Sequence, residues 1–335
     1  MAHNPFKAEK LAGTVASLVA YDLVLPRLFR QESINPFRGA RNDTITFRVP
    51  GTLPGRTYAW RNDRSAPITF DEYAETSVDV SIGDQVYSAV HLTDEQLDMD
   101  FNGWATLVSA QTRGVGREVN ERAVECVEGA PYEVELYGLE SDLRGGILRA
   151  RSVLNRFAVP QAGRVLVVGS DFEAALLQDE KLVDAQHVGS NIAESSLRDA
   201  TIGRTYGFNI VVDLNLAPTE AYAFGQDAFI GVTAAPAYSG SAGFGATASS
   251  DGVAMRWIRD YDPNFLRDRS VVSTYCGFRP VVDTIRYFDE EGSPRGEKIS
   301  GEHFVRGLKL SLEAGADVLP TGELAKITGV GTAGS

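Results

Sequence analysis

Cysteine is scarce in this 335-residue chain. Cys126 and Cys276 are the only two, which is too few for a disulfide framework or a cysteine-based zinc site and fits a reducing compartment. Both read as buried, inert thiols. The four histidines, His3, His91, His187 and His303, have no metal-ligand spacing. No apolar run reaches the ~20 residues that cross a bilayer. The nearest, Leu11–Leu25, is broken by Asp22 and lacks a small-residue cleavage site; Leu11, Val15, Leu18, Val19 and Leu25 fit one stripe of an amphipathic helix ending near Pro26. A soluble protein without a membrane span is expected.

Catalytic motifs are missing too. There is no Gly-x-Ser-x-Gly elbow, no His-Glu-x-x-His pair and no Gly-Lys-Ser/Thr phosphate loop. The turn Gly169-Ser170-Asp171-Phe172-Glu173 could open a phosphate-binding helix. However, it has one glycine, and Asp171 and Glu173 would repel an anion where backbone donors should hold it. Gly240, Gly243 and Gly245 lack the preceding strand and following helix of a nucleotide motif, and a mobile loop is predicted over Tyr238–Ser249. The expectation is a non-enzyme with no cofactor and no metal.

What is present is ordinary globular material, 43% hydrophobic and 23% charged, enough for one large core or two modest ones. The balance of 32 Lys+Arg against 45 Asp+Glu gives −13, so the chain is not a polycation that grips nucleic acid by counterion release. DNA beside it would be contained rather than read. The charge is unevenly distributed. Residues 38–64 carry six arginines against two acids, whereas residues 71–100 carry nine acids and no Lys or Arg. Such blocks form either a solvated hairpin that folds its charges together or a self-complementary surface, in which the basic block of one copy meets the acidic block of the next.

Residues 44–50 alternate as a strand, Gly51, Pro54 and Gly55 punctuate an open region carrying Tyr58 and Trp60, and Thr76–Ile82 alternates again. These predict a long two-stranded excursion, which cannot form a core alone and needs another surface. Thr93 and Gln96 form a capping box, with a short helix running toward Asp100. Phe101, Trp104, Val108, Val115, Val119, Cys126 and Val127 then recur at helical spacing up to Gly129 and Pro131, predicting a helix of about seven turns that Gly114 and Gly116 weaken. Beyond it the pattern is compact α+β. A helix over Leu143–Phe157 stops before Pro160; Val165–Val168 reads as a buried strand; Ser170 with Glu173 suggests a second capping box; Phe208–Asp213 and Ala221–Ile230 read as strands.

This order of elements resembles the Hong Kong 97-type fold of tailed-bacteriophage major capsid proteins. The segments Val159-Pro160…Val165-Leu166-Val167-Val168-Gly169 and Arg267-Asp268-Arg269-Ser270-Val271-Val272 resemble actinobacteriophage coat proteins. The resemblance implies an N-terminal arm at 1–40, an extended loop at 41–75, a peripheral domain at 76–130 with its spine helix at about 101–128, an axial domain at 131–282, and peripheral return strands with a tail at 283–335. It further implies an icosahedral virion shell of pentamers and hexamers enclosing double-stranded DNA, assembled in the host cytoplasm with a scaffolding protein, a portal and possible decoration proteins.

The six lysines, Lys7, Lys10, Lys181, Lys298, Lys309 and Lys326, leave none in 41–75, so the loop-lysine isopeptide cross-link of some relatives is not available. Residues 1–40 are too few for a cleaved scaffolding segment. The expected inter-subunit contacts are Arg41, Arg48, Arg56, Arg61 and Arg64 for register, with Tyr58, Trp60, Phe101 and Trp104 as anchors. The alternatives are an encapsulin-like nanocompartment shell, a minor head or tail protein, and an unrelated soluble α/β enzyme.

Overall fold

A computed structural model describes residues 24–32, 44–49, 58, 60, 67, 68, 70, 76–82, 84–99, 104–157, 159–178, 204–237, 244–250, 253–283, 286–288, 294–298, 303–322 and 324–325. The chain enters through a short 3-10 turn, Leu25–Leu28, and β1 (Arg30–Glu32). β2 (Thr44–Val49) and β3 (Thr76–Ser81) pair as a hairpin, and β4 (Asp84–Thr93) leads into α1 (Asp94–Met99) and α2 (Trp104–Glu128). Next come β5 (Glu135–Leu136), α3 (Leu143–Arg156), β6 (Val165–Val168), α4 (Ser170–Gln178), β7 (Arg204–Thr205), β8 (Phe208–Val212) and β9 (Glu220–Phe224). β10 (Phe229–Ala234), β11 (Phe244–Ser250), β12 (Val253–Asp262), β13 (Arg267–Pro280), the hairpin of β14 (Arg286–Phe288) and β15 (Pro294–Lys298), and β16 (Gly307–Ser311) complete the order.

These strands build two six-stranded sheets that share one helix. In the first, the 14-residue β13 is central: β4 lies along one edge, β12 and β10 share the other, β11 extends β12, and β1 runs parallel to β10. In the second the order is β5-β16-β9-β6-β8-β7. β6 is apolar throughout because both its faces are covered. Leu166 and Val168 pack under α3 and α4, while Val165 and Val167 join Val124 and Val127 of α2.

The 25-residue α2 spans about 37 Å at ~1.5 Å per residue. Val108, Val115 and Val119 pack on Val86, Met255, Trp257 and Val272 of the first sheet; Ala123, Val124 and Val127 pack on the second. Where the two meet, Phe29 stacks on Phe229 at 5.0 Å and lies edge-on to Phe278 at 5.6 Å and Phe224 at 6.4 Å. A polar clamp joins the same three parts. Buried Asn120 of α2 donates to Asp213 at 2.8 Å and accepts from the backbone N–H groups of Val24 (3.3 Å) and Leu25 (3.1 Å).

The capping box that opens α1 is reciprocal: Thr93 N–H donates to Gln96 Oε1 (3.2 Å), and Gln96 N–H to Thr93 Oγ1 (3.5 Å). Asp142 caps α3 through the Gly145 N–H at 2.9 Å. The second predicted box does not form. The Ser170 hydroxyl donates to Asp171, and the first N–H groups of α4, on Asp171 and Phe172, donate to the Pro218 carbonyl at 3.0 and 3.1 Å. That carbonyl occupies the donors a phosphate would need.

Two further expectations are corrected. Ala221–Ile230 is two strands rather than one: after Phe224 a turn, closed by Ala228 N–H on Gly225 O at 2.9 Å, carries the chain from the second sheet to the first. The glycine-rich stretch supplies a strand, Phe244–Ser250, in register with Val253–Arg259, while residues 238–243 lie outside the described residues. Strands from 229 to 280 share a sheet with β4, and β16 at 307–311 inserts beside β9 and β5. The predicted N-terminal helix lies outside the described residues, apart from its end at Leu25.

Candidate assembly surface

The β2–β3 hairpin is anchored at its base and open beyond it. Its register runs from Thr44 opposite Ser81 to Val49 opposite Thr76, and the Thr46 hydroxyl donates to Asp79 Oδ1 at 2.6 Å. Alternation turns Val78 and Val80 inward, where they are buried with Ile230, Val232 and Val281 of the same chain. The expectation that the whole excursion needs a foreign surface therefore fails for its base. The sheet behind β3 supplies the missing face.

Beyond the base the situation reverses. Trp60 is 90% exposed, Phe70 86%, Ile68 58% and Tyr58 42%. Hydration of apolar area costs ~25 cal/mol per Å², and Trp60, Ile68 and Phe70 present large apolar groups to water along one segment. Among the expected contact residues, Tyr58 and Trp60 therefore lie in the open. Arg48 sits in β2 opposite Ser77 by backbone register. Arg41, Arg56, Arg61, Arg64 and Phe101 lie outside the described residues. Trp104 differs from the others: it is half-buried at the start of α2, packs on the core of the first sheet and carries the Arg259 guanidinium 4.1 Å over its ring. Its ring is engaged within its own chain.

The sequence reading missed a second exposed apolar feature, the turn between β12 and β13. Phe265 and Leu266 are largely exposed, with Tyr261 beside them. The turn is held firmly: Asp262, buried, accepts from Asn264 N–H at 3.2 Å and lies 3.6 Å from Arg269, while Arg267 stacks 4.5 Å over Phe265. Leu266 adopts φ 49, an unfavourable left-handed state for a leucine. Asp262-Pro263-Asn264 is the turn signal that could have located it.

Charges along these strands are mostly neutralised internally. Arg259 pairs with Asp268 at 2.5 Å and Arg269 with Asp260 at 2.8 Å, and Tyr261 donates to Asp94 at 3.0 Å. Beneath α2, Gln111 donates to the carbonyls of Ser88 and Ser270, both at 3.1 Å, and Ser270 to Gln111 at 2.7 Å. Burial pushes the Cys126 thiol up to about 12, with Arg279 pulling the other way. Burial, then the Glu220 carboxylate, pushes the Tyr222 hydroxyl up. Neither group is poised for proton transfer near neutrality. Among the described residues no cluster of three or more His, Cys, Asp and Glu side chains could hold a metal ion, and no helix is long and apolar enough to cross a membrane.

Comparison with known proteins fits this arrangement. The fold is similar to a structure of Mycobacterium phage Che8 (17% identity, TM-score 0.58, covering 87% of this chain and 91% of that one). It is similar also to the capsid of cyanophage P-SCSP1u (10%, TM-score 0.60, 94% and 91%) and to the head of Helicobacter pylori bacteriophage KHP40 (11%, TM-score 0.55, 86% and 88%). These likenesses show the fold, a mixed α+β arrangement of the Hong Kong 97 type. No curated protein matches in sequence. Residues 85–281, from β4 through the spine helix and both sheets to the end of β13, match the model of the phage capsid protein family; this is more than half of the 335 residues, and the chain belongs to that family.

Proposed function

We propose that the chain is the major capsid subunit of a tailed phage, self-assembling as pentamers and hexamers into the icosahedral head that encloses the double-stranded DNA of the virion. The observation that carries this reading is the half-docked arm: its base is buried on its own sheet, while Trp60 and Phe70 stay almost fully exposed. A neighbouring copy covers that apolar segment, with Arg41, Arg48, Arg56, Arg61 and Arg64 setting register against acids of the partner.

The first sheet with α2 then acts as the peripheral domain and the second with α3 and α4 as the axial domain, so that strands from 229 to 280 belong to the former and 307–311 to the latter. A scaffolding protein and a portal are its partners in building the DNA-filled head, while the chain alone closes into particles. Assembly takes place in the host cytoplasm, and its chemistry is physical rather than catalytic.

Expressed chain should sediment as closed particles visible by negative-stain microscopy. Trp60→Ser/Phe70→Ser should remain folded while its assembled fraction falls by about an order of magnitude, since each shell multiplies the lost contact. A parent chain that stays a small discrete oligomer, or a double variant that assembles normally, would overturn the reading. The virus-like particle from Pyrococcus furiosus has a similar fold (10% identity, TM-score 0.51, 90% of this chain and 98% of that one), so the content of purified particles separates a DNA head from a protein-cargo shell.

A further inference from the structure

The second sheet is electrically lopsided along its strands. β6 runs from Val165 to Val168, between Arg164 and Gly169, and the charges beyond its two ends have opposite signs. Three guanidiniums gather where the strand begins. Arg164 is buried and donates to the carbonyls of Pro160 (3.0 Å) and Val159 (2.5 Å). Arg151 of α3 packs over the β7–β8 turn, where a Cβ added to Gly207 would lie 3.4 Å from its guanidinium carbon. Arg204 is exposed on β7, the edge strand of the sheet. Burial and then the nearby Arg151 charge hold Arg164 below its ordinary value, as expected where positive groups meet without an acid. Neither Arg151 nor Arg204 has an ion-pair partner among the described residues.

The opposite end is acidic. An open groove of about 1010 Å³ lies between the start of α3 and α4. Glu140, Asp142, Asp171 and Glu313 rim it, with Arg144 the one cation among the described residues, and its floor includes Leu143 and Leu312. Asp142 is engaged as the cap of α3, and Glu313 accepts from the Thr219 hydroxyl at 3.0 Å. Among the described residues Asp171 accepts only from the neighbouring Ser170 hydroxyl, and Glu140 is exposed.

These ends cannot meet within one subunit, because the 14-residue α3, about 20 Å long, runs from the groove to the basic end. They can meet between successive copies, in the head-to-tail geometry that closes into a ring. The basic end is also built rigidly. Tyr206 (φ 50) and Gly207 (φ 89) form a two-residue turn with both residues left-handed, the tight hairpin type that fixes Arg204 at a protruding edge, although a tyrosine disfavours that backbone state. We propose that Arg151 and Arg204 of one copy seat in the acidic groove of the next, with Glu140 and Asp171 as the receiving carboxylates. This rests on the shell-forming reading above, and names a contact that reading does not include. A purely local role is the competing account, since acids at the start of α3 and arginines toward its end also suit the helix dipole.

Three full-length variants decide between them: Arg151→Glu/Arg204→Glu, Glu140→Lys/Asp171→Lys, and the quadruple exchange. Assembled fraction is read by sedimentation velocity across a salt series, and subunit stability by thermal melting. Each double should lower the assembled fraction by about tenfold or more, because the contact repeats around every ring, and the quadruple should recover it. The parent should lose assembly as salt rises. If a reversal prevents folding, the neutral pair Arg151→Gln/Arg204→Gln reads the same contact through a flattened salt dependence. Doubles that assemble like the parent overturn the proposal, as does a quadruple no better than the doubles with a lowered melting point, the signature of the helix-dipole role. A parent that forms no particles strikes the shell reading itself, whereas normal particles from both doubles strike only this contact.

Discussion

Replacing Asn120 with alanine should destabilise the subunit by about 3–5 kcal/mol, far more than one neutral side chain on a helix ordinarily contributes. The magnitude follows from what the amide holds. Its oxygen accepts from Val24 N–H and Leu25 N–H, and Leu25 is fully buried, so water cannot replace the lost acceptor there. Its nitrogen donates to Asp213, a nearly buried carboxylate left with the Asn215 N–H at 2.9 Å. Each buried group left unsatisfied costs ~1–3 kcal/mol, and here a donor pair and a charged acceptor are both stranded. The assay is guanidinium unfolding on the Trp60→Ser/Phe70→Ser background, which keeps shell formation from adding stability by mass action. A cycle with Asp213→Ala should give a coupling of about 1–3 kcal/mol. A loss under about 1 kcal/mol with no coupling would refute the clamp as a link between entry segment, spine helix and second sheet.

Two further predictions concern the same helix. Gly114 is exposed, and a Cβ there meets nothing within 4 Å, so Gly114→Ala should raise stability by about 1 kcal/mol through helix propensity alone; a lower melting point would mean that the helix is not regular at that point. The raised Cys126 thiol gives a pH dependence. With its folded value at about 12 against an ordinary 9.0, the contribution is fully present below pH 9.0 and is lost as pH climbs toward about 12. Melting points should therefore fall along that alkaline limb, and Cys126→Val should flatten it; an unchanged slope would contradict the thiol's burial.

Periodicity located most helices and failed where polar residues face inward. α2 was legible because its stripe of Val108, Val115 and Val119 stands out, and the Thr93–Gln96 box marked the helix before it. β6 was legible because both its faces are covered. β12 and β13 were harder. On β13 the inward positions include Asp268 and Ser270, both buried, so hydrophobic alternation is interrupted where Ser270 bonds to Gln111 and Trp257 and where Asp268 bonds to Arg259. Those partners lie on other elements, Trp257 and Arg259 on the neighbouring strand and Gln111 on α2, 159 residues away, and nothing local announces them. The same logic applies to strand order: pairing between residues 84 and 276 or between 135 and 309 is a long-range fact that no local pattern announces. That Val78 and Val80 would find their partners in Ile230 and Val232 was not legible in the sequence.

The half-docked arm also bears on how assembly can be both strong and orderly. A wholly free two-stranded arm would have to be ordered at the moment of contact, at roughly 1–2 kcal/mol per residue of backbone entropy, which exposed ion pairs worth ~0–1 kcal/mol each would hardly offset. Seating Val78 and Val80 on β10 fixes the direction of the arm during folding, so that part of the ordering cost is met within the subunit before any partner arrives. What remains for association is the apolar surface of Trp60, Phe70 and Ile68, whose removal from water is favourable wherever a matching face is offered. In the proposed shell, direction is thus set by the subunit's own core and affinity by its neighbour. That division lets an acidic chain present a large apolar segment along a defined line, where a head-to-tail neighbour can reach it.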